Sequence, residues 1–164
     1  MVLAYVWPVC DGWFVVVYSL RPATGEDSDV LFRLHRASLG PYVEEVYGPW
    51  GDEVQKLHHD RWLDTARPEV IETSDGVVGV VHFTMTEDHA ELGRISIHPG
   101  HQGRGLGTAV LTTLLTGADE RGLRVQLEVF DINPARRLYE RLEFCEVWRQ
   151  GRKVGMMRPA QPLR

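Results

Sequence analysis

A mixed α/β fold, with a largely antiparallel sheet and helices on its faces, is what this 164-residue sequence predicts. Three observations carry the prediction. Between residues 70 and 98 the apolar positions follow a strand period, are rich in β-branched residues, and are cut by two tight-turn signals. Directly afterwards, residues 105–121 switch to helical spacing with one apolar stripe. Beyond that helix come an alternating run at 124–130, a capped helical segment and a final hairpin pattern about Gly151.

Residues 1–18 form an apolar stretch broken by Pro8, Asp11 and Gly12. No basic segment leads it, which argues against a secretory signal, and neither piece reaches the ~20 residues that span a bilayer. An extra strand, a hydrophobic patch used in dimerisation and a start codon assigned too early are the three readings. The stretch is expected to be a loosely attached extension without chemistry, ahead of one domain at 19–164. Residues 18–21 read as a short strand. Pro22 and the polar run that follows introduce a helix capped by Asp27 or Ser28, with Val30, Leu31, Leu34 and Ala37 at helical spacing. Gly40-Pro41 is expected to end it. Residues 40–51, rich in aromatics, Gly and Pro, read as a short helix or structured loop. A second helix covers 52–64, its leading acids suiting the positive end of the helix dipole.

Residues 70–98 then give a three-strand meander with turns at Ser74-Asp75-Gly76 and Glu87-Asp88-His89, stopped by Pro99. In the helix at 105–121 the stripe is Leu106, Val110, Leu111, Leu114, Leu115 and Ala118, and Gly122 supplies the stop. Asn133 as cap and Pro134 at the first helical position open the next helix, with Ala135, Leu138 and Leu142 on its buried side.

Composition narrows the function. The chain is 43% hydrophobic and 25% charged, as soluble globular domains are, with a net charge of −5 from 18 basic and 23 acidic residues. A nucleic-acid surface normally shows as a basic stripe, so none is expected, nor is a membrane partner. Two distant cysteines, Cys10 and Cys145, suit a reducing, cytoplasmic setting. The histidines show no metal-ligand spacing, and no metal is expected.

The chemistry concentrates in His-Gln-Gly-Arg-Gly-Leu-Gly at 101–107, three glycines at the entrance of a helix. Glycine costs helix stability, so the bare backbone must serve something else. The first amides of a helix lack intrahelical partners, and the dipole there is positive. Glycines let an anion approach those amides closely. Two familiar phosphate motifs do not fit: a P-loop needs a lysine that is absent, and the dinucleotide fingerprint needs glycine where Thr108 stands.

What is present, Gln102-Gly103-Arg104-Gly105-Leu106-Gly107, resembles the acetyl-CoA pyrophosphate loop of the GNAT superfamily of N-acetyltransferases. About thirty residues on, Asn-Pro-Ala-Arg-Arg-Leu-Tyr-Glu-Arg-Leu-Glu-Phe at 133–144 is similar to that superfamily's second signature. The resemblance covers roughly residues 19–159, with one departure: Glu143 stands where the family usually has glycine.

That resemblance implies a mostly antiparallel sheet of about six to seven strands, splayed in the middle and flanked by about four helices. It implies acetyl-CoA as cofactor, with Ile95, Ser96 and Ile97 beside the pantetheine, one of these amides polarising the thioester carbonyl. Gln102, Gly103, Arg104, Gly105, Leu106, Gly107 and Thr108 would hold the diphosphate, and Asn133 would reach the cofactor as well as cap its helix. Tyr139 matches the family's acid for the leaving thiolate. Glu91, eleven positions before Gln102, is the first candidate base, and His82 the second. Tyr42, Glu45, Tyr47 and Trp50, in the segment that varies most within the family, would line an acceptor pocket together with His82. A small-molecule or peptide amine is the expected partner, and the final hairpin is either the opposite wall of that pocket or the contact of a homodimer. The alternative function is a CoA-binding sensor module without turnover.

Overall fold

In the computed structural model, residues 2–9 and 12–162 are described, with the side chains of 2–15 left aside. The chain divides into two compact units: Met1–His82 with Ile95–Ala109, and Phe83–Arg94 with Val110–Arg164.

In the first unit, β1 (Val2–Val9) and β2 (Gly12–Pro22) form an antiparallel hairpin, registered from Val2 opposite Ser19 to Val9 opposite Gly12. The 1–18 stretch thus contributes strands, and Tyr18 is 1% exposed, its hydroxyl donating to the Ala109 carbonyl at 3.3 Å. Antiparallel partners follow in order: β2 beside β3 (Glu69–Thr73), and β3 beside β4 (Gly76–Met85), whose turn is closed by Gly76 at φ +90°. Gly79 lets β4 come close to the last strand segment of this unit, since a Cβ there would stand 2.8 Å from the Ser96 carbonyl.

Two helices cover this unit. A 3-10 turn, Gly25–Asp27, leads into α1 (Ser28–Tyr47), and α2 (Asp52–Ala66) follows. Asp27 does not cap α1 with its side chain. Its carboxylate instead takes both terminal nitrogens of Arg21 at 2.8 Å and the Thr24 amide at 2.8 Å. Arg21 holds that carboxyl at about 2. Gly40-Pro41 does not end α1, contrary to expectation: the helix runs six residues beyond Pro41. The proline removes the bond to the Ala37 carbonyl, but both residues are exposed and water can replace the lost donor. Leu31, Leu34, Leu63, Val70 and Val80 form the core, joined by half-buried Trp62 and Val77.

The second unit is built on β5 (His89–Ile97), α3 (Leu106–Glu120), β6 (Arg124–Phe130), α4 (Arg136–Arg141), β7 (Cys145–Gln150) and β8 (Lys153–Arg158). Strand β5 ends and α3 begins in the first unit. β5 and β6 pair in parallel over only four residue pairs, His89–Arg124 to Leu92–Leu127, although both strands run on beyond. That early end of the ladder is the splay. β8 inserts beside β6, and β7 closes the order as an edge strand. Val110, Leu111, Leu115 and Ala118 of α3 are buried, as their spacing predicts, with Val125, Leu127, Val129, Val154 and Met156 of the sheet. Among the described residues eight strands and four α-helices result, one strand more than the resemblance implied because residues 2–9 pair.

Candidate active site

The loop ahead of α3 is shaped by its glycines. Gly103 and Gly105 take φ of +72° and +82°, a region that other residues enter at a cost of about 1–2 kcal/mol. A 3-10 turn, Pro99–His101, precedes them, unseen in the sequence; the His98 ring accepts from the Gly100 amide at 3.1 Å. The first helical bond of α3 runs from the Ala109 amide to the Gly105 carbonyl, 2.9 Å. Leu106, Gly107 and Thr108 are therefore the first turn, and their N–H groups have no intrahelical acceptor. Among the described residues, no protein acceptor takes the amides of residues 103–108. Gln102 is the exception to the expected donor set: its amide is engaged by the Pro99 carbonyl at 3.2 Å, and its side chain donates to the Ile97 carbonyl at 2.8 Å. Its role is to tie the loop to β5. Arg104 is exposed and Leu106 buried, so Leu106 contributes backbone only.

Six consecutive uncommitted amides over two left-handed glycines fit the diphosphate of a coenzyme. On β5 itself, Ile95 is half-buried, Ile97 nearly buried, and Ser96 buried with no hydrogen-bond partner on its Oγ.

Of the residues expected at the acceptor, Tyr42 and Glu45 lie three apart on the extended α1 and share a face. Tyr47, 64% exposed, projects about 140° away around the helix. Trp50 is held rather than free. Its ring lies 5.4 Å from His35 and 6.2 Å from Phe32, its indole N–H donates to Asp52 at 3.0 Å, and its amide donates to Glu44 at 3.3 Å. His82 on β4 meets Trp62 edge-on at 6.2 Å. Between Trp50 and His82 runs a relay of rings that the sequence reading missed: His35 stacks on His59 at 6.1 Å, and His59 lies 6.0 Å from Trp62. His59 and Trp62 stand at helical spacing three apart, which was the available signal.

The second unit holds the remaining candidates. Tyr139 on α4 is 6% exposed, its ring edge-on to Phe144 at 5.9 Å. Burial pushes its phenol up to about 12. Glu91 is exposed on β5, opposite Gln126 of β6. Asn133 serves as a cap, its Oδ1 accepting from the Ala135 amide at 2.9 Å. Residues 134–138 open with i to i−3 bonds, so the regular helix begins at Arg136 rather than at Pro134. Glu143, in the family's glycine position, takes φ +68°, the conformation for which glycine would be suited. No group of three or more candidate metal ligands occurs among the described residues.

The splayed strands and the glycine turn feeding α3 are marks of an N-acyltransferase fold. The chain belongs to the acetyltransferase (GNAT) family, whose model matches residues 31–144, and it is an acyltransferase enzyme. It is 34% identical over 101 residues to the [ribosomal protein bS18]-alanine N-acetyltransferase of Haemophilus influenzae, a match spanning 60% of this chain and 66% of that relative. Solved structures with the same fold include PH1933 of Pyrococcus horikoshii OT3, at 20% identity and TM-score 0.71 over 89% of this chain and 99% of that one. Another is the PaiA N-acetyltransferase of Thermoplasma acidophilum in complex with coenzyme A, at 14% identity and TM-score 0.68 over 87% and 98%. No helix among the described residues is long and apolar enough to cross a membrane.

Proposed function

We propose that this enzyme transfers an acetyl group from acetyl-CoA to a primary amine by direct attack within a ternary complex, in the cytoplasm. The single observation that carries the reading is the run of uncommitted amides at 103–108. Acetyl-CoA supplies the activated thioester.

The chain's own residues do the rest. Amides of Gly103, Arg104, Gly105, Leu106, Gly107 and Thr108 hold the diphosphate, with the α3 dipole behind them. The backbone of Ile95, Ser96 and Ile97 lies along the pantetheine, and an amide there donates to the thioester carbonyl as charge develops. Asn133 keeps its capping role and presents its side-chain amide to the cofactor. Tyr139, with a phenol near 12, is neutral at every physiological pH, so its proton is always available to the leaving sulfur. A free thiol titrates near ~8.5, well below this phenol. Tyr139 therefore stabilises the thiolate by donating a hydrogen bond, and water completes the protonation.

An alkyl amine near ~10 is about a thousandth neutral at pH 7, whereas an α-amino group near ~8 is about a tenth neutral. The Haemophilus influenzae relative acts on an alanine of ribosomal protein bS18, which supports an α-amino group as acceptor here. Such an acceptor asks little of its base, which suits an exposed carboxylate such as Glu91, with His82 as the second candidate. Tyr42 and Glu45, on one face of α1, form the acceptor wall with Trp50 and His82, and Tyr47, on another side of that helix, lies outside it.

The test is Gly105→Glu, which adds bulk and negative charge beside the diphosphate amides. CoA binding by calorimetry should be lost while the circular dichroism spectrum is kept; unchanged binding would remove the loop from the site. Release of free thiol from acetyl-CoA with an alanine-initiated peptide, compared with lysine and polyamine acceptors, then ranks the amines. Tight CoA binding with no thiol release by any of them would instead make the protein a sensor.

A further inference from the structure

Strand β7 ends the sheet, and its outer edge faces no other strand among the described residues. All six of its residues are exposed, Val147 at 52% and Trp148 at 44%. Such an edge is a template for another chain unless something blunts it. β7 carries no proline or lysine, the usual guards. It does carry a bulge: Glu146 stands opposite Met156 and Trp148 opposite Gly155, so Val147 is an extra residue.

The bulge changes which side chains share a face. Arg149 stands opposite Val154, two residues from Met156 on β8, so Glu146 and Arg149 fall on one face although they are three apart. Their ion pair, 2.9 Å, confirms it. Cys145 and Gln150, opposite Met157 and Lys153, share the other face with Trp148. The Trp148 indole lies over Gly155, where a Cβ would overlap it.

We propose that β7 pairs antiparallel with β7 of a second copy about a two-fold axis perpendicular to the sheet. Facing residues in such a pair must lie on the same face. In a regular strand, residues 146 and 149 would not; with the bulge they do. Centred between Val147 and Trp148, the pairing sets Glu146 against Arg149 of the second copy and Cys145 against Gln150 of the second copy, with apolar residues meeting at the middle. The edge is self-complementary in charge, which selects another copy of this chain over an acidic or a basic partner. The inference rests on the strand edge alone and is independent of the acyl-transfer reading.

Sedimentation velocity of the full chain over a concentration series needs neither cofactor nor amine. The unmodified chain should shift from monomer towards dimer. Glu146→Arg and Arg149→Glu should each abolish the shift, because like charges then face each other. An equimolar mixture of the two variants should regain it, since each supplies what the other lacks. In a Cys10→Ser background, oxidation should leave the chain uncrosslinked, because the two Cys145 residues sit at opposite ends of the paired strands. Adding Gln150→Cys should yield a covalent dimer. A chain that is monomeric throughout, a dimer that survives Glu146→Arg, or a mixture that stays monomeric would overturn the proposal.

Discussion

Tyr139 illustrates how one side chain links stability to chemistry. Its phenol is raised from 10.0 to about 12 by burial alone. Below pH 10 the folded and unfolded chains both carry the proton. Above it the unfolded chain ionises first, so folding loses support as the pH rises towards 12, by about 2–3 kcal/mol across the window. Denaturant titrations between pH 9 and 12 should show a steep fall for the unmodified chain and a shallower one for Tyr139→Phe. At neutral pH the same variant should bind CoA normally but turn over about 10²-fold more slowly, the scale of a lost proton donor. A rate within twofold of the unmodified enzyme would leave Tyr139 with its packing against Phe144 and nothing more. The tyrosine, the glycines and Asn133 were legible as residues because motif spacing fixes them. The ring relay of His35, His59 and Trp62 was not, because only His59 and Trp62 share a helical period and the contact between α1 and α2 leaves none. Gln102 was legible as a loop member but not as the side chain that ties the loop to the Ile97 carbonyl, since that bond depends on the 3-10 turn between them.

Helix ends show where elements depart from local preference. α1 runs through Gly40-Pro41, whose dipeptide signals a stop, because the orphaned carbonyl faces water and the following turn continues to Tyr47. That continuation puts Tyr42 and Glu45 on one helix face, which a loop would not have done. Just past the end of α4 stands Glu143, whose left-handed conformation costs what a glycine would not. Glu143→Gly should therefore raise unfolding stability by roughly 1 kcal/mol, the strain relieved less the extra freedom of the unfolded glycine. Thermal and denaturant unfolding would show it as a higher midpoint with an unchanged denaturant slope. A fall in the midpoint would mean that the Glu143 side chain contributes more than its backbone costs. The strands of the 69–97 meander were legible nearly to the residue, because tight turns fix their ends. The register of β7 was not, because a bulge is set by what the partner strand offers.

At the scale of the whole chain, the sequence divides a loosely attached extension from a catalytic domain at residue 19, whereas the packing draws a different line. Tyr18 is nearly inaccessible and its hydroxyl reaches the Ala109 carbonyl in the first turns of α3, the helix whose amino end presents the free amides. Val16 comes within 3.8 Å of where a Cβ on Gly105 would stand. Strand β2 thus supports the loop that the proposed function depends on, while β1 pairs, among the described residues, only with β2. Two truncations separate these roles. Removing residues 1–11 takes away β1 and leaves β2 with one free edge, so the loss should be modest and CoA affinity should stay within about threefold, since the contacts of Val16 and Tyr18 are kept. Removing residues 1–18 also deletes the buried Tyr18 ring, and emptying such a site costs about 3–5 kcal/mol. That is a large share of the 5–15 kcal/mol that holds a domain together, so the shorter chain should unfold at much lower denaturant and bind CoA poorly even where it remains folded. Tyr18→Phe keeps the ring and drops only the hydroxyl, and should cost about 1 kcal/mol with CoA binding retained. If the chain lacking residues 1–18 matched the one lacking 1–11 in both stability and affinity, β2 would be dispensable and the loop would have to be held from β5 and α3 alone.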